Sequence, residues 1–238
     1  MTTHIAETSP LIRARVTGLL YLILFPLDLF GFAYVPSRLV VPGDAAATAS
    51  NIMANELLFR LGIVSILLGQ ILGLLVVLAL YQLLKPVNKN VAVLMVLFGL
   101  VAVPIGMVNE LNQFAILLLL HGPDNLTVFT ADQLHALVSL FLNLHTIGIR
   151  IDEIFWGLWL FPMGYLVFKS GFLPRILGVV LMITCVGYLI QDFAAFLFPN
   201  LGVNIILITG WGELVFPLWL LIKGVNVEQW EKRALAFA

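Results

Sequence analysis

Ile149–Met163, IRIDEIFWGLWLFPM, sets Arg150, Asp152 and Glu153 directly against Phe155, Trp156, Trp159 and Phe161 in a long apolar run. A charged side chain at the centre of a membrane-spanning helix costs ~3 kcal/mol on insertion scales. Such residues face a bundle interior or a water-filled cavity and mark functional sites. On a helix, Asp152, Trp156 and Trp159 fall at i, i+4 and i+7 and share one face, with Glu153 at its shoulder. The stretch therefore reads both as a membrane helix and as the first candidate site.

The rest of the chain agrees with a membrane helix. Hydrophobic residues make up 61% of the 238 residues and charged residues 11%, and the mean hydropathy is +1.08. A soluble domain carries about a quarter charged residues. The class is all-α: a polytopic transmembrane helical bundle forming a single integral membrane domain. A span needs ~20 apolar residues to cross ~30 Å of hydrocarbon. Six fit, at about 16–35, 57–84, 91–120, 149–168, 176–198 and 203–225.

Arg13 and Arg15 before Val16–Leu27 imitate a secretory signal, but apolar character continues through Asp28 to Val35 with no A-x-A pattern, so an uncleaved first span is expected. Pro26 should bend it. In the linker Gly43–Ala54, the N-cap candidates are Thr48, Ser50 and Asn51, and a helix from there is expected to run on through Leu84. Residues 85–90, 122–125, 169–175 and 199–200 read as turns. Residues 132–168 form either one long helix or, the preferred reading, an outer interfacial helix joined at Gly148 to span four. The tail from Asn226 reads as a short amphipathic surface helix.

Basic residues orient the bundle. With the N-terminus inside, Arg13, Arg15, Lys85, Lys89, Lys169, Arg175, Lys223, Lys232 and Arg233 fall on the cytoplasmic side and only Arg38, Arg60 and Arg150 outside. Nine against three places both termini in the cytoplasm of a multi-pass cell-membrane protein. The acids run the other way: Asp28, Asp44, Glu56, Glu110, Asp124, Asp132, Asp152, Glu153, Asp192 and Glu213 fall outside or within the membrane.

At 1.5 Å of rise per residue, Asp28 lies ~18 Å into span one and Glu213 ~15 Å into span six. Glu110 lies in the outer half of span three. These positions imply a chamber open on the non-cytoplasmic side. Its candidate catalytic residues are Asp152, Glu213, Glu110 and Glu153. Its candidate substrate-binding residues are Trp156, Trp159, Trp211, Asn109, Gln113, Asp28, Asp192, Glu56 and Arg60. Carboxyl groups in a low dielectric suit general acid–base work, and aromatic faces beside them stabilise a cation. Together they fit protonation-initiated chemistry on a lipophilic, isoprenoid-like substrate. In that scheme Glu213 or Asp152 gives the first proton, and Glu110 or Glu153 takes the last. Two other uses are a proton- or ion-coupled transport site and a structural role as an accessory subunit. In the structural reading Glu56 and Arg60, at i and i+4, form an ion pair.

Other chemistries lack their residues. Cys185 is the only cysteine, and no H-x-x-x-H or HExxH spacing joins His121, His135 and His145. Asp132 with His135 gives two metal ligands, too few for a site. No metal or cofactor is expected. There is no Walker loop, dinucleotide fingerprint or G-x-S-x-G elbow, and no basic patch with interleaved aromatics for nucleic acid. Asn125-Leu126-Thr127 matches the glycosylation sequon. The partners expected are membrane lipid and a lipophilic small molecule.

Four stretches carry a resemblance: Glu56–Gly62 (ELLFRLG), Ala79–Lys85 (ALYQLLK), Lys169–Gly178 (KSGFLPRILG) and Trp219–Val225 (WLLIKGV). They resemble the prokaryotic integral membrane family filed as domain of unknown function 4386, over nearly the whole chain. The resemblance implies a compact helical membrane bundle and assigns no catalytic residue. Length and scattered intramembrane acids are also broadly similar to integral-membrane terpene cyclases, by analogy alone.

Overall fold

A computed structural model describes residues 9–121, 128–198, 202 and 204–237. The turn at 122–125, the sequon at 125–127 and the turn at 199–200 lie outside the described residues. Helices account for nearly all of the described chain, with no strand among the described residues. In order they are α1 (Pro10–Asp28), a π-helical segment (Leu29–Tyr34), α2 (Val35–Leu39), α3 (Ala45–Ala54), α4 (Glu56–Leu84), α5 (Lys89–Asn109), α6 (Leu111–His121), α7 (Ala131–Ser170), α8 (Arg175–Leu197), α9 (Ile206–Thr209), α10 (Trp211–Ile222) and α11 (Val227–Phe237).

Among the described residues, five helical stretches are long and apolar enough to cross a membrane: Pro10–Leu39, Glu56–Leu84, Lys89–His121, Ala131–Ser170 and Arg175–Leu197. A sixth is reached if Ile206–Ile222 and Val227–Phe237, bent by 99°, are taken together. The protein is an all-α membrane-spanning bundle.

The chain divides into two compact units. Unit 1 comprises residues 1–23, 72–102 and 153–238; unit 2 comprises residues 24–71 and 103–152. In unit 2, Val35, Leu39, Ile52, Phe59, Ile63, Ile116, Leu117 and Val138 pack into one buried apolar cluster. It draws on α2, α3, α4, α6 and α7, so the short helices after α1 are tied to the long ones through side-chain packing.

In unit 1 the C-terminal helix is docked. Gly224 takes φ +69°, which a side chain would resist, and the Asn226 side chain then accepts from Gln229 N at 3.1 Å to cap α11. The buried Trp230 indole donates to Leu83 O at 2.9 Å, and Arg233 donates to Lys169 O at 3.0 Å. The amphipathic helix expected from Asn226 onward is therefore present as α11.

Three local expectations change. First, α3 is capped by Asp44, which accepts from Ala47 N at 2.8 Å, not by Thr48, Ser50 or Asn51. Thr48 instead donates to Asp44 O and receives Val41 N, folding the preceding turn onto the helix. Second, the helix does not run unbroken from the linker to Leu84: Asn55, at φ −131° and ψ 42°, separates α3 from α4. Third, α7 is one helix of 40 residues with no break at Gly148. At 1.5 Å per residue it is about 60 Å long, twice the hydrocarbon thickness. The glycine is tolerated because the Asn109 amide occupies the space its side chain would take. Pro26 stays inside α1, and the irregularity comes three residues later, where the chain widens into the π turns.

Replacing Trp230 with Phe keeps most of the apolar packing but orphans the Leu83 carbonyl. It should lower unfolding free energy in detergent by about 1 kcal/mol, measured by a denaturant titration, while Glu228→Gln on the exposed face of α11 should leave it unchanged.

Candidate functional site

Within unit 2, α5 ends at Asn109 and α6 begins at Leu111, so Glu110 stands at a break in an otherwise continuous apolar span. Its carbonyl restarts the helix by accepting from Gln113 N and Phe114 N. Its side chain is 1% exposed. A carboxyl group so deeply desolvated must be matched by donors, and two are present. His145 Nε2 lies 2.8 Å from Glu110 Oε1, and Gln113 Nε2 donates to Oε2 at 2.9 Å.

Gln113 Nε2 and His145 Nε2 are themselves 3.0 Å apart, both turned on the same carboxyl group. His145 Nε2 and Glu110 Oε1 are at hydrogen-bonding distance across two helices, α7 and the α5–α6 break. Asn109 holds the arrangement from behind: its Nδ2 donates to His145 O at 2.9 Å. Asn112 in turn donates to Asn109 O and Oδ1, each at 3.0 Å.

Two glycines make room. A Cβ on Gly148 would collide with the Asn109 amide, and one on Gly106 would collide with the Gln70 amide and stand 2.7 Å from Asp152 Oδ2. Through that second gap Gln70 Nε2 reaches Asp152 Oδ2 at 3.4 Å. Asp152 is 2% exposed, and its Oδ1 meets no hydrogen-bond donor among the described residues. Asp28 lies within electrostatic reach of Asp152, against Gly69, the residue before Gln70. Unit 2 thus carries a Glu110–His145–Gln113–Asn109 group and an Asp152–Gln70–Asp28 group. His145 and Asp152 stand seven residues apart on one face of α7.

Beside the first group is an open cleft of about 540 Å³, lined by Pro104, Ile105, Val108, Asn109, Asn112, Leu144, Ile147, Gly148 and Ile151. Its walls are apolar, and its polar contribution is two side-chain amides.

The remaining site candidates of unit 2, Glu56 and Arg60, form an ion pair at 2.6 Å, with His121 Nε2 3.4 Å from the other carboxylate oxygen. Both side chains are substantially exposed, which fits an anchor at the start of α4.

Unit 1 holds the others. Glu213 accepts from Tyr21 Oη at 3.0 Å and Tyr188 Oη at 2.8 Å, and the Tyr21 ring lies 5.7 Å from buried Trp159. Glu153 and Trp156 are half-buried, and Asp192 is fully buried. Trp211 is 62% exposed, because α10 turns residues 211 and 213 about 200° apart. Among the described residues no group of three metal-ligating side chains occurs.

A family model matches residues 16–224, described as domain of unknown function (DUF4386). The chain belongs to this family. A DUF4386 assignment over that range agrees with the resemblance carried by the Glu56–Gly62, Ala79–Lys85, Lys169–Gly178 and Trp219–Val225 stretches. A protein of Archaeoglobus fulgidus described as uncharacterized is 36% identical over 169 residues, covering 70% of this chain and 86% of the relative. No solved structure matches the chain. Membership of DUF4386 thus carries the membrane character and leaves the chemistry to the residues.

Sequence reasoning named Glu110, Gln113, Asn109 and Asp152 as site residues, weighed His145 only for metal-ligand spacing and Gly148 only as a joint between helices, and gave no site role to Gln70, Gly106, Tyr21 or Tyr188. The signal for His145 was its seven-residue spacing from Asp152 on the same helix.

Adding a methyl group at Gly148 or Gly106 must displace Asn109 or Gln70, and each Ala variant should lose about 1–3 kcal/mol of stability. A methyl group at Gly73 would meet nothing within 4 Å, so Gly73→Ala should be neutral or slightly stabilising. Unfolding in detergent of the three variants side by side checks the contrast.

Proposed function

We propose that this protein is a membrane-embedded enzyme that performs acid–base chemistry on a lipophilic, isoprenoid-like substrate, with Glu110 and His145 as the working pair. The observation that carries the reading is the Glu110 carboxyl group buried at 2.8 Å from His145 Nε2. A proton shared by two groups on rigid helices can be given to, or taken from, a bound carbon or oxygen with little reorganisation. Gln113 fixes the second carboxyl oxygen, and Asn109 fixes the backbone of the histidine. Both are positioning residues. The apolar cleft lined in part by Asn109, the neighbour of Glu110, supports a water-insoluble substrate. The excess of Lys and Arg in the loops assigned to the same side as both termini supports a cell-membrane orientation with those termini in the cytoplasm.

Proton-coupled transport is the second reading. It is favoured by Asp152, close to Asp28 and Gln70, with one carboxyl oxygen that meets no donor among the described residues. Intramembrane carboxyl groups of this kind form proton relays.

Acid–base chemistry at carbon leaves an isotopic trace even without net turnover. Purified protein, incubated in D₂O with a neutral-lipid extract, should introduce deuterium into an isoprenoid component. Glu110→Gln and His145→Gln should each slow the incorporation by roughly 10²–10⁴-fold. Incorporation that survives both substitutions contradicts the assignment. Proton uptake into liposomes that depends on Asp152, with no deuterium entering any lipid, selects transport instead.

A further inference from the structure

The cleft of unit 2 carries information about what it holds. Its wall residues Val108 and Ile147 are 63% and 47% exposed, so it opens sideways along apolar helix surface that a bilayer would cover. Its polar side chains are Asn109 and Asn112, and among the described residues no charged side chain lines it. A phosphate or carboxylate head placed there would be desolvated with no counter-ion, a cost the site does nothing to offset. An uncharged head meets better terms. Asn112 spends its amide nitrogen on Asn109, which leaves its amide oxygen to accept. Asn109 is nine-tenths buried and donates to His145 O with one of its two amide protons. A hydroxyl group, which both donates and accepts, matches this pair of amides.

We propose that the cleft binds an uncharged long-chain alcohol of isoprenoid type, which enters from the lipid phase and seats its hydroxyl group against Asn112 and Asn109. This specificity rests on the acid–base reading for its chemical purpose, because the head is then held beside the residues that flank Glu110. It excludes the phosphorylated forms of the same chain and ordinary phospholipids as preferred occupants.

The test is photolabelling of the full chain in phosphatidylcholine nanodiscs, with a farnesol-type alcohol carrying a diazirine on its chain. Labels should concentrate on peptides from 104–112 and 144–151. Ile147→Trp, a change on the lipid-facing wall, should reduce them roughly tenfold. Asn112→Leu should weaken labelling by the alcohol several-fold while the matching carboxylate and phosphate probes stay excluded. Labelling of equal density on the exposed α4 face at Leu61, Val64 and Leu68 overturns the proposal. So does equal labelling of the cleft by the charged probes. Glu110→Gln should keep the labelling. Labelling retained in a protein that incorporates no deuterium sinks the acid–base reading alone, and incorporation without cleft labelling sinks this one alone.

Discussion

A carboxyl group removed from water inside a bilayer-length helix must find its solvation in the protein. Glu110 does so with one histidine and one glutamine, and much of unit 2 follows from that requirement. Gln113 is placed one turn downstream so that its amide reaches back. His145 is delivered from α7, and its carbonyl is tied by Asn109. Gly148 is left without a side chain so that Asn109 can approach. Each member of the group has a role, as expected where a half-satisfied network would cost more than an apolar core. The helix break at Glu110 belongs to the same arrangement, since the chain changes from α5 to α6 where the buried carboxyl group sits.

Unit 1 solves the same problem by another chemistry. Glu213 stands near the start of α10 and is held by two phenolic hydroxyls, from α1 and α8. Thr184 closes the break before it by donating to Thr209 O at 2.6 Å. Tyrosine hydroxyls share their protons far less readily than imidazole does. The Glu213 carboxyl group thereby ties α10 to α1 and α8. The two glutamates thus differ in their partners: an imidazole and an amide around Glu110, two phenolic hydroxyls around Glu213.

Much of this was legible from the residues. Hydropathy alone gave the all-α membrane class, because a backbone in lipid has few other options. The amphipathic α11 and the Glu56–Arg60 pair followed from periodicity. What periodicity did not give was the continuity of α7. A glycine in a long helix reads as a weak point until the side chain that occupies its groove is known, and Asn109 lies 39 positions upstream. The capping of α3 by Asp44 was missed for a simpler reason: three candidates inside the helix competed with a residue just before it. His145 was missed because a lone histidine was weighed only as a metal ligand. Its partner on another helix was one of the acids already singled out, and no local pattern joins positions 110 and 145.

Glu110 and His145 stabilise each other as a pair inside unit 2, and the rest of the site depends on that pairing. A double-mutant cycle on unfolding free energy tests it most directly, using Glu110→Leu, His145→Leu and both together in the same detergent. Each single change should orphan its buried partner, and the double change should cost less than the sum of the two. The coupling should be about 1–3 kcal/mol. Effects that add to within about 0.5 kcal/mol would mean that the two side chains do not depend on each other, and would contradict the pairing.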